Sequence, residues 1–196
     1  MGALRPRAAA WAAVVLPLVL LVPPVRAQPD PGSALQLTAF AGILRVGSDL
    51  ATDVDAQWAP IAGGRLGWRP TPQVTLAGEG WLGSIERSDA GGSADLVGLG
   101  AHATFRPWTG RGWPADLAFD FGLERVDASD DEDRSLGFVF GLGVERRVAR
   151  RLQVETAARH HFLTVDEEDV DGVATGRNAE MWEIRAGVSL VLGGEP

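Results

Sequence analysis

The side chains with the greatest catalytic potential in this chain are its histidines, and the adjacent pair lacks a nucleophile beside it. The chain has three, His102, His160 and His161, and the last two lie in the segment RHHFLT. Nucleophilic catalysis by a hydroxyl group needs that group within hydrogen-bond reach of a histidine base, with an acid to orient the base. Here the residues two positions on are Phe162 and Leu163. Since GxSxG, HExxH and phosphate-binding loop motifs are also absent, the sequence predicts no catalytic residues and no enzyme. We instead expect the histidine pair at a strand end near the rim of the fold.

An acidic segment offers the second candidate site. The sequence EEDVDG spaces Glu167, Asp169 and Asp171 before Gly172, as in the first half of a calcium-binding loop. An EF-hand would need a bidentate glutamate where this chain has Asn178, and it would need flanking helices. We therefore expect a solvated acidic loop, with no metal site and no cofactor.

The elements that must position these residues are β-strands. In LAFDFGLE, Leu117, Phe119, Phe121 and Leu123 occupy every second position, and alternate side chains of a strand point to opposite faces. No segment shows a sustained helical period. Eight segments with strand character are predicted: 35–46, 61–68, 73–84, 95–106, 115–126, 136–148, 152–163 and 181–192.

The connections between these strands alternate in length and charge. The first, third, fifth and seventh are long and mostly acidic; they are 47–58, 85–94, 127–134 and 165–180. The others are short and carry arginine; they are 69–72, 107–114 and 148–151. In an antiparallel meander the odd connections share one end of the sheet. Long outer loops, short inner turns and an even strand number are typical of outer-membrane barrels.

The two faces of the strands predict which solvent each one meets. One face is a row of large apolar residues, and the other carries glycine, small residues and a few charges. A narrow eight-stranded interior needs thin side chains, so we expect the apolar face to contact lipid and Asp120 and Glu124 to face the interior. The mixed charges on the last two strands are expected to pair between these adjacent strands; they are Glu155, Arg159, Glu183 and Arg185. Solvent-facing ion pairs on a soluble sandwich remain an alternative.

Tryptophan placement supports the membrane interpretation. The tryptophans after residue 27 all fall near predicted strand ends or in turns, whereas phenylalanines fill strand centres. Indole rings favour the membrane–water interface, so we expect them to form girdles. They are Trp58, Trp68, Trp81, Trp108, Trp113 and Trp182.

The N-terminal segment predicts the compartment of the protein, and its net charge limits the partners that it can bind. Residues 1–27 have the basic, apolar and small-residue regions of a secretory signal peptide. We expect 28–34 to be a flexible lead-in, 35–192 the folded domain and 193–196 a tail. Losing three arginines and no acid with residues 1–27 takes the formal charge from −8 to −11, which argues against nucleic-acid binding. No cysteine is present, so no disulfide stabilises the fold.

With these features the chain resembles the small outer-membrane barrels of the OmpA transmembrane-domain and OmpX/Ail type. The likeness covers residues 35–192 and rests on the GGRLGWRPTPQVTLAGEGWLG hairpin (63–83), the GFVFGLGVERR strand (137–147) and the terminal IRAGVSLVL (184–192). It implies an all-β fold, a single eight-stranded antiparallel up-and-down transmembrane barrel. It further implies export through the periplasm, residence in the outer membrane and a structural or surface-interaction role.

Other functions stay open at this stage. A narrow pore for ions or small solutes would use the same barrel, although interior charges would restrict it. A soluble lipocalin-like carrier would place the large apolar residues inside a cup. Outer-membrane lipid A deacylases share the barrel, but their histidine and serine pair has no counterpart in RHHFLT. The expected partners are outer-membrane lipid, lipopolysaccharide with weak divalent bridging, and an extracellular ligand at the acidic loops; the protein is expected to be a monomer.

Overall fold

The computed structural model describes residues 33–47, 56–86, 93–109, 115–128, 134–168 and 174–193. Within these ranges the regular structure consists of eight strands. They are β1 (Ala34–Val46), β2 (Gln57–Thr71), β3 (Val74–Glu86), β4 (Ser93–Phe105), β5 (Asp116–Ala128), β6 (Arg134–Arg147), β7 (Leu152–Glu168) and β8 (Ala174–Gly193). The predicted signal peptide (1–27), most of the lead-in and tail residues 194–196 lie outside the described ranges, and the described part of the chain contains no helix that could span a membrane.

The strands form a closed antiparallel barrel in sequence order. Each strand pairs with its neighbours in the chain, and β1 pairs with β8 from Ala34 opposite Gly193 to Val46 opposite Met181. Closure leaves no open sheet edge, so every strand is hydrogen-bonded to a neighbour on both sides. The predicted strand number and up-and-down topology are confirmed. We call the end with the odd-numbered connections the loop side and the opposite end the turn side.

The strands extend further toward the loop side than the sequence predicted. The segment 165–180 was predicted as a loop, but β7 continues to Glu168 and β8 begins at Ala174, with these two residues opposite each other. The prediction was wrong because it relied on an apolar face. Backbone pairing needs no apolar face, so a ladder can continue after the apolar face has ended.

The outer surface of the barrel is an apolar belt. Its large hydrophobic side chains are far more exposed than those of a soluble protein: Leu66 is 62% exposed, Leu82 63% and Phe138 67%. The face predicted for the apolar residues of LAFDFGLE is confirmed, because Phe121 and Leu123 are exposed on this belt. The lipocalin-like alternative is wrong, since that fold would place these residues inside a cup.

One tryptophan departs from the predicted girdles. Trp58, Trp68, Trp108 and Trp182 are exposed, and Trp113 lies outside the described residues. Trp81, in contrast, is 2% exposed and points into the barrel. Its position near a strand end indicated an interface residue, but its parity along β3 matches that of the buried Glu79, which determines the face.

Candidate functional site

The interior of the barrel is filled by two layers of different chemistry. The layer nearer the loop side is apolar, and its buried side chains, from the middle of the barrel to its loop-side end, form one cluster. They are Phe40, Leu44, Val46, Ala59, Ile61, Trp81, Ile85, Ala94, Leu96, Val126, Leu163, Ala179 and Met181. This apolar layer was not predicted from the sequence, because the same strands are also apolar on their outer faces.

A charge network fills the layer nearer the turn side. Among the described residues it combines buried acids and buried arginines from several strands. Those acids are Glu79, Asp120, Glu124, Glu145, Glu155 and Glu183, and the arginines are Arg65, Arg69, Arg106, Arg159 and Arg185. The mixture of signs reduces the cost of burying each charge.

Glu79 lies at the centre of this network. One of its carboxylate oxygens accepts from Arg159 Nη1 at 2.5 Å and from Arg185 Nη1 at 2.7 Å, and the other accepts from Arg65 Nε at 2.8 Å. Arg159 also contacts Asp120. Glu79 therefore links β2, β3, β7 and β8 across the interior rather than only along one pair of strands.

A second cluster lies where the charge network meets the apolar layer. The His161 ring is fully buried between two acids, with Nδ1 2.6 Å from Glu124 and Nε2 3.0 Å from Glu183. Trp81 Nε1 also donates to Glu124. Each ring contact needs a proton between nitrogen and oxygen, so the two contacts hold at least two protons. The cluster joins the apolar layer to the charges beneath it.

The turn-side end of the interior is closed by hydrogen-bonded polar side chains. Arg106 donates to both carboxylate oxygens of Glu145, at 2.7 and 2.6 Å, and to Thr75 at 2.8 Å. Arg69 donates to Gln36 at 3.0 Å and to Gln153 at 3.2 Å. Two-pronged arginine–carboxylate pairs are among the strongest polar contacts in proteins. They fix this end of the interior in one arrangement.

The interior charges predicted to pair between the adjacent strands β7 and β8 do so. Arg159 lies 4.0 Å from Glu183, and Arg185 lies 3.6 Å from Glu155. Asp120 and Glu124 are buried as predicted.

The central pair, Arg65 and Glu79, was missed by the sequence analysis. Its signal was present, because the two residues lie at nearly equal distances from the turn of the β2–β3 hairpin and are direct cross-strand partners.

The histidines are separated by the fold. The adjacent pair was predicted at a strand end, which is wrong: both lie well inside β7 and point to opposite faces. His160 is on the outer surface, stacked on Trp182 with ring centroids 4.0 Å apart and 3.2 Å from Glu180. His102 is buried 3.3 Å from Asp120. The alternation of faces in a strand explains the separation.

The acidic segment that resembled a calcium loop is mostly outside the described ranges. Glu167 belongs to β7 and Asn178 to β8, whereas Asp169, Asp171 and Gly172 are not described. Among the residues that the structure describes, no group of histidines and acids has the spacing of a metal site.

Glycine provides the space that Trp81 occupies. Trp81 in β3 and Gly98 in β4 are cross-strand partners. A Cβ on Gly98 would overlap the indole ring of Trp81. We expect Gly98→Ala to destabilise the barrel by about 1–3 kcal/mol, because overpacking forces the ring out of place. Denaturant unfolding of the protein in lipid vesicles measures this change.

Gly78 supplies the matched control for that substitution. It lies on the exposed face of β3, and a Cβ there would meet nothing within 4 Å. Gly78→Ala should change the unfolding free energy by less than about 1 kcal/mol. Equal effects of the two alanines would contradict the packing argument.

Comparison with known proteins agrees with this architecture. No protein-family model matches the chain, and no curated protein does. The solved structure of Neisserial surface protein A (NspA) is similar, with a TM-score of 0.57 and 20% identity, covering 81% of this chain and 98% of that one. The outer-membrane protein OprG from Pseudomonas aeruginosa has a TM-score of 0.52 and 11% identity, with 86% and 99% covered. The chain therefore has the fold of the small eight-stranded outer-membrane barrels.

Proposed function

We propose that the protein is an integral outer-membrane barrel with a closed interior, which serves as a rigid support for its acidic extracellular loops. The observation that carries this proposal is the filled interior beneath an apolar outer belt. The belt fits a hydrocarbon environment, and an interior of paired charges suits a structural role. The loops would then provide the variable, interactive part of the protein.

The packing of the interior argues against a steady pore. An eight-stranded barrel leaves room for little more than its own side chains. Here an apolar layer lies in series with the charge network, and Leu44, Val46 and Met181 have no exposed surface in it. An ion would have to cross that apolar layer without water, at a high desolvation cost.

The proposed partners follow from the charge of the loops. Three of the long connections are strongly acidic, which suits cationic surfaces, or divalent ions bridging to anionic lipopolysaccharide. The barrel itself would contact outer-membrane lipid through its belt and would function as a monomer. Binding through the loops would be weakened by salt if charge attraction drives it.

Gel mobility and bilayer recording test the closed-barrel proposal together. We expect the unboiled protein in detergent to migrate differently from the boiled protein, because a closed barrel without an open sheet edge resists unfolding. In planar bilayers we expect no large, stable conductance steps. Unchanged mobility on boiling would contradict the barrel in membranes, and large stable steps would contradict the closed interior.

A further inference from the structure

The turn between β6 and β7 concentrates positive charge at the turn side. The segment 146–151 reads RRVARR and contains no acid. We call it the arginine turn, and its basic residues are Arg146, Arg147, Arg150 and Arg151. The nearest acid in the chain, Glu145, is buried and accepts both hydrogen bonds of its pair with Arg106. Arg146 is buried and Arg147 is half-buried, so the exposed charge of the turn comes from Arg150 and Arg151.

The backbone of the arginine turn is held in place. The Val148 amide donates to the Leu152 carbonyl at 2.9 Å, and the Leu152 amide donates to Ala149 at 3.3 Å. The Val191 amide donates to the Arg151 carbonyl at 2.8 Å, which attaches the turn to β8. A ligand would not have to order this backbone, so little conformational entropy opposes binding.

The exposed arginines lie at the edge of the apolar belt. Arg150 and Arg151 are exposed. Directly after them Leu152 is 37% exposed on the outer face, opposite Leu190, which is 40% exposed. An arginine at the edge of a hydrocarbon belt can extend its guanidinium to the level of lipid headgroups.

We propose that the arginine turn binds anionic phospholipid headgroups in the leaflet on the turn side. This inference rests on the proposed membrane location. A guanidinium fork matches the oxygens of a phosphate, and basic clusters beside a membrane-spanning segment attract anionic lipids. The acidic connections belong to the opposite end of the barrel. The arginine turn would therefore attract anionic lipid to the turn side and not to the loop side.

Lipid retention in mixed bilayers tests the proposal. Full-length barrel is placed in nanodiscs of equal parts phosphatidylglycerol and phosphatidylcholine, and the lipids that remain bound are counted by native mass spectrometry. We expect the wild type to retain phosphatidylglycerol selectively. In the double variant Arg150→Gln/Arg151→Gln, the ratio of bound phosphatidylglycerol to bound phosphatidylcholine should fall roughly tenfold, since each arginine near an anionic surface contributes to the attraction. The single variant Arg150→Gln should give an intermediate loss.

Two controls separate a site from a general charge effect. Arg125→Gln removes one charge from an exposed arginine on the loop side that pairs with Asp127 at 2.9 Å, and its selectivity should equal that of the wild type. Arg150→Lys/Arg151→Lys keeps the charge and should retain most of the selectivity. An equal loss in Arg125→Gln and Arg150→Gln would overturn the site.

The remaining outcomes distinguish this proposal from the closed barrel. A double variant that still shows the heat-dependent gel shift but keeps wild-type lipid selectivity would overturn the lipid inference alone. Absence of the gel shift in the wild type would instead contradict the proposed function. Complete displacement of the lipid by soluble glycerol phosphate would overturn the lipid inference, because the turn would then bind any phosphate without the bilayer.

Discussion

Replacing Glu79 with glutamine is expected to lower the free energy of unfolding by about 3–5 kcal/mol, the usual cost of removing one partner from a buried ion pair. Its carboxylate accepts from Arg65, Arg159 and Arg185 at 2.5–2.8 Å. Glutamine has nearly the same shape, but it loses the negative charge and presents an NH₂ group to the arginines. The guanidinium charges would remain buried with one carboxylate fewer.

Equilibrium unfolding in urea, followed by gel mobility and tryptophan fluorescence in lipid vesicles, measures the effect of Glu79→Gln. A lower midpoint at an unchanged slope would report a stability change. Asp127→Asn is the matched control, because it removes the charge from an exposed ion pair with Arg125. The Asp127 side chain is 37% exposed and the Arg125 side chain is 46% exposed. Exposed pairs contribute less than about 1 kcal/mol. A Glu79 effect no larger than the control would show that the interior charges do not depend on one another.

Truncating Trp81 is expected to have a comparably large effect. Trp81→Ala should cost about 3–5 kcal/mol, because it leaves a cavity in the apolar layer. Trp81→Phe fills much of the space but removes the N–H that donates to Glu124, so it should cost about 1–3 kcal/mol. The same unfolding experiment separates the packing contribution from the hydrogen-bond contribution.

Trp182→Phe is the control for Trp81, because Trp182 is 48% exposed and stacks on His160 outside the barrel. We expect it to change the unfolding free energy by less than about 1 kcal/mol. If Trp81→Ala were as mild as Trp182→Phe, the ring would not pack in the interior as the structure shows.

The predictions that succeeded rest on properties local to the chain. A strand sends successive side chains to opposite faces, so the sequence alone assigned Phe121 and Leu123 to the lipid side and Asp120 and Glu124 to the interior. The interface prediction for Trp81, in contrast, was wrong, because it relied on the distance from the strand end and not on the parity along β3 that Trp81 shares with Glu79. Parity was the stronger signal because it follows from backbone geometry, whereas interface preference is only a tendency.

The sequence by itself determined the strand number, the topology and the face of most residues. It also placed the long, mostly acidic connections at one end of the sheet and the short connections at the other. Only the tertiary structure decided which residues meet across the interior. Glu79 is joined to Arg159 and Arg185, which follow it in the chain by 80 and 106 residues. Their contact depends on closure of the barrel and on the stagger of its strands. The division of the interior into an apolar layer and a charge network is decided there too, because each layer is assembled from short pieces of many strands.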